Sequence, residues 1–233
     1  MDITEHTTVA DIATALPSSI RVFQRYGIDF CCGGKTPLGQ ACAESGVPFE
    51  EVAGAIEASA RTPEDDGRDW TAEPLHRLID HIISAYHNPL REELPRLDAM
   101  ATKVSRVHGA KASHLARIER IVAELSADLA SHMRKEELVL FPAIRTIETE
   151  HAQPAMRIDA PIAVMEHEHD HAGALISELR ALTSDYVPPA WACRTFQALY
   201  QGLSELEATM HVHVHLENNI LFPRALALGD VAM

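Results

Sequence analysis

Two histidine–glutamate pairs in this chain are spaced to hold a cation. His132-x-x-x-Glu136-x-x-Val139-Leu140-Phe141-Pro142 recurs as His213-x-x-x-Glu217-x-x-Ile220-Leu221-Phe222-Pro223, at an offset of 81 residues. His87 and His169 stand at nearly the same offset, 82. Residues i and i+4 of an α-helix share one face, so each pair can aim an imidazole and a carboxylate at one point. An ionised carboxylate buried without a partner is very costly, and a buried imidazole also needs hydrogen bonds. Imidazole and carboxylate donors without thiolate suit iron, manganese or zinc. Carboxylates can bridge two cations while imidazoles cap each of them. Zinc usually takes four ligands, so the six-residue set of His87, His132, Glu136, His169, His213 and Glu217 favours a pair of irons and leaves zinc as the alternative.

Those residues need helices to carry them. The sequence reads as four long helices over about 72–103, 111–147, 160–185 and 189–226, broken by Gly109, by a segment containing Pro154 and by Pro188-Pro189. Each has an apolar stripe at alternating three- and four-residue spacing, as the core face of a bundle requires. The first runs Ile83, His87, Leu90, Leu94, Leu97; the third runs Ile162, Met165, His169, Ala172, Ile176, Leu179. Every stripe is apolar apart from the six His and Glu residues. A metal-free hydrogen-bond network is the ordinary explanation of one core histidine, but it accounts poorly for six such residues repeated across four helices. His167, His171, His211 and His215 form two further i, i+4 pairs. They lie off the stripes and read as partly exposed neighbours of the site.

The remaining composition narrows the possibilities. The chain has 233 residues, a formal net charge of -14 and 14 histidines, 13 of them after residue 70. The acidic balance argues against nucleic-acid binding, which needs clustered basic residues. No apolar run is long enough for a membrane span, and the first residues lack the basic start of a secretory signal. Four cysteines, two of them adjacent, suggest a reducing cytoplasm. The acidic Pro- and Gly-bearing stretch at 62–71 reads as a linker. It divides a small helical domain at 1–61 from the bundle at 72–233. In the small domain, Thr8 caps a first helix, Pro17 opens a second running to about Tyr26, and Pro37 and Pro48 can each open another. Cys31-Cys32, followed by Gly33-Gly34, reads as an exposed glycine-broken turn whose thiols are core residues, an exposed pair, or cluster or metal ligands. Cys42 and Cys193 are isolated and read as packing residues.

Read together, these segments resemble a known family. Asp29-Phe30-Cys31-Cys32-Gly33-Gly34, Ile82-Ile83-x-x-Tyr86-His87, Lys103-Val104-x-Arg106-Val107-His108-Gly109, Ser131-His132-Met133-x-Lys135-Glu136-Glu137, Met165-Glu166-x-Glu168-His169-Asp170 and Leu216-Glu217-Asn218-Asn219-x-Leu221-Phe222-Pro223-Arg224 together are similar to the iron-sulfur cluster repair di-iron proteins. These are hemerythrin-like proteins also called regulators of cell morphogenesis and NO signalling. The resemblance implies an all-α fold: a hemerythrin-like antiparallel four-helix bundle with a small N-terminal helical domain. It also implies two bridged non-heme irons on the six residues above, with Cys31 and Cys32 as transfer or redox thiols. It further implies a cytoplasmic homodimer whose partners are damaged iron-sulfur proteins and gaseous ligands such as nitric oxide and oxygen, with no membrane or nucleic-acid partner. Three activities compete: iron supply for cluster repair, nitric oxide reduction at the metal pair, and gas binding or sensing in the manner of hemerythrin. The cysteine-bearing domain favours the first, since a gas carrier has no need of it.

Overall fold

A computed structural model of the chain describes residues 2–59, 69–150 and 157–231. Most of the expected linker, residues 62–68, lies outside that set. The described residues are helical apart from turns and one isolated bridge between Thr8 and Pro37. None of their helices is long and apolar enough to cross a membrane. They form two compact units, Asp80–Met210 on one hand and Met1–Ile79 with His211–Met233 on the other.

The unit Asp80–Met210 is an antiparallel four-helix bundle. In chain order the helices of the protein are α1 (Val9–Ala15), α2 (Ser19–Tyr26), α3 (Leu38–Glu44), α4 (Phe49–Ser59), α5 (Leu75–Ile82), α6 (Asn88–His108), α7 (Leu115–Lys135), α8 (Phe141–Glu150), α9 (Asp159–Leu182), α10 (Arg194–His215) and α11 (Phe222–Val231). The bundle core is the expected stripe: Leu90, Leu94 and Leu97 of α6, Leu115 to Leu129 at helical spacing on α7, Ile162 to Leu179 on α9, and Phe196, Leu199 and Leu203 on α10, all buried. Burying such apolar area supplies most of the stability of helices that are marginal alone.

The helix ends differ from the sequence reading in instructive ways. Helix α6 continues to His108 because buried Ala101 and Val104 extend its stripe beyond Leu97. Helix α9 stops at Leu182, where the Thr183 hydroxyl donates to the Leu179 carbonyl and Ser184, Asp185 and Tyr186 turn left-handed with φ of 51, 58 and 60°. The last helix begins at Arg194 rather than 189, since Pro189 accepts from Ala192 N–H in a turn instead of opening the helix.

Helices α6 and α10 approach closely at Gly202. A methyl group there would lie 2.7 Å from Leu97 Cδ2 and 3.0 Å from Arg96 Nη2. Overpacking a filled core typically costs about 1–3 kcal/mol. Gly202→Ala should lower the unfolding free energy by that amount, read from a lower urea midpoint at unchanged slope, while leaving helix content unchanged by circular dichroism.

The other unit packs α1 to α4 around Val9, Ile12, Phe23, Phe30, Leu38, Val52 and Ile56. Thr8 caps α1, its hydroxyl accepting from Asp11 N–H at 3.1 Å. Gly27 ends α2 with φ 65°, a conformation glycine adopts without strain. Val212 packs against the same core.

Candidate metal centre

Three breaks in helical regularity carry three of the candidate ligands, His87, Glu136 and Glu217. π-Helical segments Ile83–His87, Glu136–Leu140 and Leu216–Leu221 interrupt the run from α5 to α6, from α7 to α8 and from α10 to α11. Each ends two residues before a proline, at Pro89, Pro142 and Pro223. A proline inside a helix removes one donor and clashes with the carbonyl four residues back. Widening the turn to a five-residue bond relieves that clash: Asn88 N–H bonds Ile83 O, Phe141 N–H bonds Glu136 O and Phe222 N–H bonds Glu217 O. Segments of this kind are frequent at functional sites. The Phe-Pro half of the sequence repeat thus lies directly after the widened turns that carry Glu136 and Glu217.

Within the bundle unit the side chains of His87, His132, Glu136 and His169 are buried together. Glu136 Oε2 lies 3.4 Å from His87 Nε2 and 3.3 Å from His132 Nε2. His132 Nε2 faces His169 Nε2 at 3.0 Å. In the other unit His213 Nε2 meets Glu217 Oε1 at 3.0 Å, again both buried.

The outward nitrogens of two of these rings are held by further carboxylates. Glu137 Oε1 lies 2.7 Å from His87 Nδ1 and 2.5 Å from Arg91 Nη2. Glu168 Oε2 lies 3.0 Å from His132 Nδ1, and its other oxygen bonds Lys135. Burial opposes ionisation of both carboxyls, but Arg91 and His87 for Glu137, and Lys135 and His132 for Glu168, outweigh it and bring each below the usual glutamate range. Ionised acceptors at Nδ1 favour the tautomer that keeps the proton there. Nε2 of each ring then presents a lone pair inward, toward Glu136 Oε2 and, for His132, toward His169 Nε2. Lone pairs and a carboxylate converging in a dry core suit a cation placed among them. The donor chemistry fits a hard or borderline metal such as iron.

Residues 78–225 match the hemerythrin HHE cation-binding domain, and residues 5–60 match ScdA_N, a domain of unknown function. The chain is 40% identical over 219 residues to the iron-sulfur cluster repair protein YtfE of Escherichia coli K12 strain DH10B, across 94% of this chain and 96% of that protein. YtfE of Shigella boydii serotype 4 matches with the same identity and coverage. This chain belongs to that hemerythrin-like family.

In this family member the carboxylates Glu137 and Glu168 were not legible as a pair. Both lie off the apolar stripes, so helical periodicity marks neither. Partners that orient a metal-ligating histidine commonly control affinity by about 10–100-fold. Glu137→Gln and Glu168→Gln should each weaken iron binding by a factor in that range while keeping full stoichiometry at saturation, as read by chelator competition.

The extra histidines of this hemerythrin-like chain separate into two kinds. His167 and His171 are exposed, and His171 Nε2 lies 3.5 Å from both Glu124 and Asp128 on the bundle surface. His211 is half-buried, as expected. His215 corrects the expectation of partial exposure, being 1% exposed. Its Nδ1 meets Asn219 Nδ2 at 2.9 Å, its ring stands edge-on to Phe30, and burial pushes its pKa down to about 4. Asn219 also donates to the Phe30 carbonyl at 3.1 Å. The residue before Cys31 is thereby tied to the helical segment that carries His213 and Glu217.

The Cys31-Cys32 turn is built around Asp29. Its Oδ1 accepts from Cys31 N–H at 2.9 Å and from Cys32 N–H at 3.1 Å, and its Oδ2 from Gly33 N–H at 2.9 Å. Gly34 is required by space, because a methyl there would lie 2.8 Å from both Ala10 Cβ and Phe30 O. Cys31 is buried and Cys32 half-buried, with their sulfurs 3.8 Å apart. Its contact with Cys32, burial and the Asp29 carboxylate together push the Cys31 thiol well above its ordinary pKa.

Proposed function

We propose that this protein repairs iron-sulfur clusters damaged by nitric oxide or oxidants, holding two non-heme irons and supplying iron to the damaged protein. The ligands in this reading are His87, His132, Glu136, His169, His213 and Glu217. Supporting it most directly is the Glu136 carboxylate, buried against two imidazoles whose outer nitrogens are already held by Glu137 and Glu168. Relatives named as iron-sulfur cluster repair proteins, matched along nearly the whole chain, support it from the comparison side.

Each residue has a definite part. Glu136 and Glu217 neutralise cationic charge that the apolar core would otherwise exclude. The histidines add neutral donors, so charge accumulates slowly as metal enters. Glu137 and Glu168 fix the rings and hold the Nδ1 protons. The irons supply a labile ferrous cargo and coordination positions for small ligands. The protein works in the cytoplasm as a homodimer, and its clients are iron-sulfur proteins that have lost iron.

The deciding experiment is anaerobic transfer from iron-loaded protein to a cluster-depleted client, run beside a nitric oxide consumption assay. Iron-dependent recovery of client activity, without catalytic loss of nitric oxide, is the expected result. Nitric oxide turnover without recovery would assign the site to gas reduction instead. A single tightly bound zinc, with no iron pair, would refute the reading altogether.

A further inference from the structure

Cys193 does not pack as its isolation in sequence suggests. It is exposed, and its sulfur lies 3.3 Å from His108 Nε2, a residue 85 positions earlier at the end of α6. The imidazole is clamped, with its ring centroid 5.7 Å from that of Trp191 and 5.6 Å from that of Phe196. The exposed Lys111 ammonium sits over the Trp191 ring, 3.9 Å from its centroid. Cys193 also immediately precedes α10, and its carbonyl accepts the first helical bond from Gln197 N–H at 3.0 Å.

These features share one chemical consequence. A helix N-terminus favours an anion placed at it, as does a nearby lysine. An imidazole within hydrogen-bond reach of a thiol is the arrangement that activates a nucleophilic sulfur. The exposed indole beside it offers an apolar shelf, and Lys111 a cationic contact for a carboxylate. Nothing in the proposed repair chemistry employs any of these groups.

We infer that Cys193 and His108 form a thiol–imidazole pair that exchanges with small carboxylate-bearing disulfides. The Cys193 sulfur attacks one sulfur of the disulfide as its proton passes to His108 Nε2. A new sulfur–sulfur bond forms, the old one breaks, and the departing thiolate takes the proton from His108. The products are the Cys193 mixed disulfide and one free thiol, so atoms and electrons balance without another oxidant. Lys111 selects for anionic disulfides.

The test uses the full iron-loaded chain with glutathione disulfide as probe. Peptide mass spectrometry follows Cys193 separately from Cys31 and Cys32. Cys193 should react faster in the folded chain than in the urea-unfolded chain. His108→Gln should slow it by about tenfold or more at neutral pH and remove the histidine limb of the pH–rate profile. Lys111→Gln should slow reaction with glutathione disulfide more than with the uncharged bis-hydroxyethyl disulfide. The Cys31 and Cys32 rates and the iron content should not move in either variant, which separates loss of the pair from loss of fold. Equal rates in folded and unfolded chain, or a His108→Gln rate equal to wild type, would overturn the inference.

Discussion

Glu136→Gln should reduce iron affinity by more than about a hundredfold, beyond the range expected for the supporting carboxylates. The substitution keeps the volume and removes the charge. One oxygen of Glu136 faces both His87 and His132, so a single amide disturbs two imidazole positions at once. The metal-free protein makes the prediction sharper. If the carboxylate is there for a cation, the apo protein holds a buried charge at a cost, and Glu136→Gln leaves apo stability unchanged or raises it. If the residues instead form a structural network of charged histidine and glutamate, breaking it costs about 3–5 kcal/mol. Urea melts of both proteins after chelation, alongside metal analysis of the loaded forms, distinguish the two. Apo destabilisation with unaltered iron content would remove the metal assignment. The equivalent change at Glu217 should lower affinity in the same direction, since its main chain is set by the same π-helical device.

That device shows where reading the sequence succeeded and where it stopped. A bundle helix shows its core face every three or four positions, and the six His and Glu residues that fall on those stripes are all buried. Periodicity says nothing about groups that reach across from a neighbouring helix. Glu168 serves His132 from α9, and Glu137 leaves its own helix's core face to serve His87. The Phe-Pro repeats were visible, yet their role became clear only with the five-residue backbone bonds upstream of Pro142 and Pro223. What buries His215 is not on its own helix: Phe30, nearly two hundred residues earlier, stands against its ring. At Cys193 a distant contact likewise overrides the local pattern. Its partner lies at the end of α6, while its own neighbours in sequence are a proline-rich turn and a helix start. In each case the deciding contact is long-range and leaves no trace in the local pattern.

The same distinction governs the second large effect, at Cys31 and Cys32. Replacing both by alanine should leave iron stoichiometry and the bundle's absorption spectrum intact and reduce repair of a client cluster to near background. Thiolates are soft donors suited to iron in transit, and the six His and Glu residues include none. The turn's shape does not depend on the sulfurs. Asp29 holds it through three backbone N–H groups, and Gly34 fits it against Ala10. Alanine preserves both, so loss of activity would report chemistry rather than collapse. The two thiols are also unequal. Cys31 is buried and donates toward Asp29 at 3.2 Å, an arrangement that keeps it protonated, whereas Cys32 is open to solvent in part. Exchange should therefore begin at Cys32, and Cys32→Ala alone should weaken repair more than Cys31→Ala. Asn219 provides the structural control, because it joins the Phe30 carbonyl to the helical segment bearing Glu217. If the pair acts on iron leaving that segment, Asn219→Ala should slow transfer while both thiols remain titratable and the iron content stays whole. Loss of iron in the double alanine variant would instead make the cysteines part of storage. Unchanged repair would take them out of the reaction entirely.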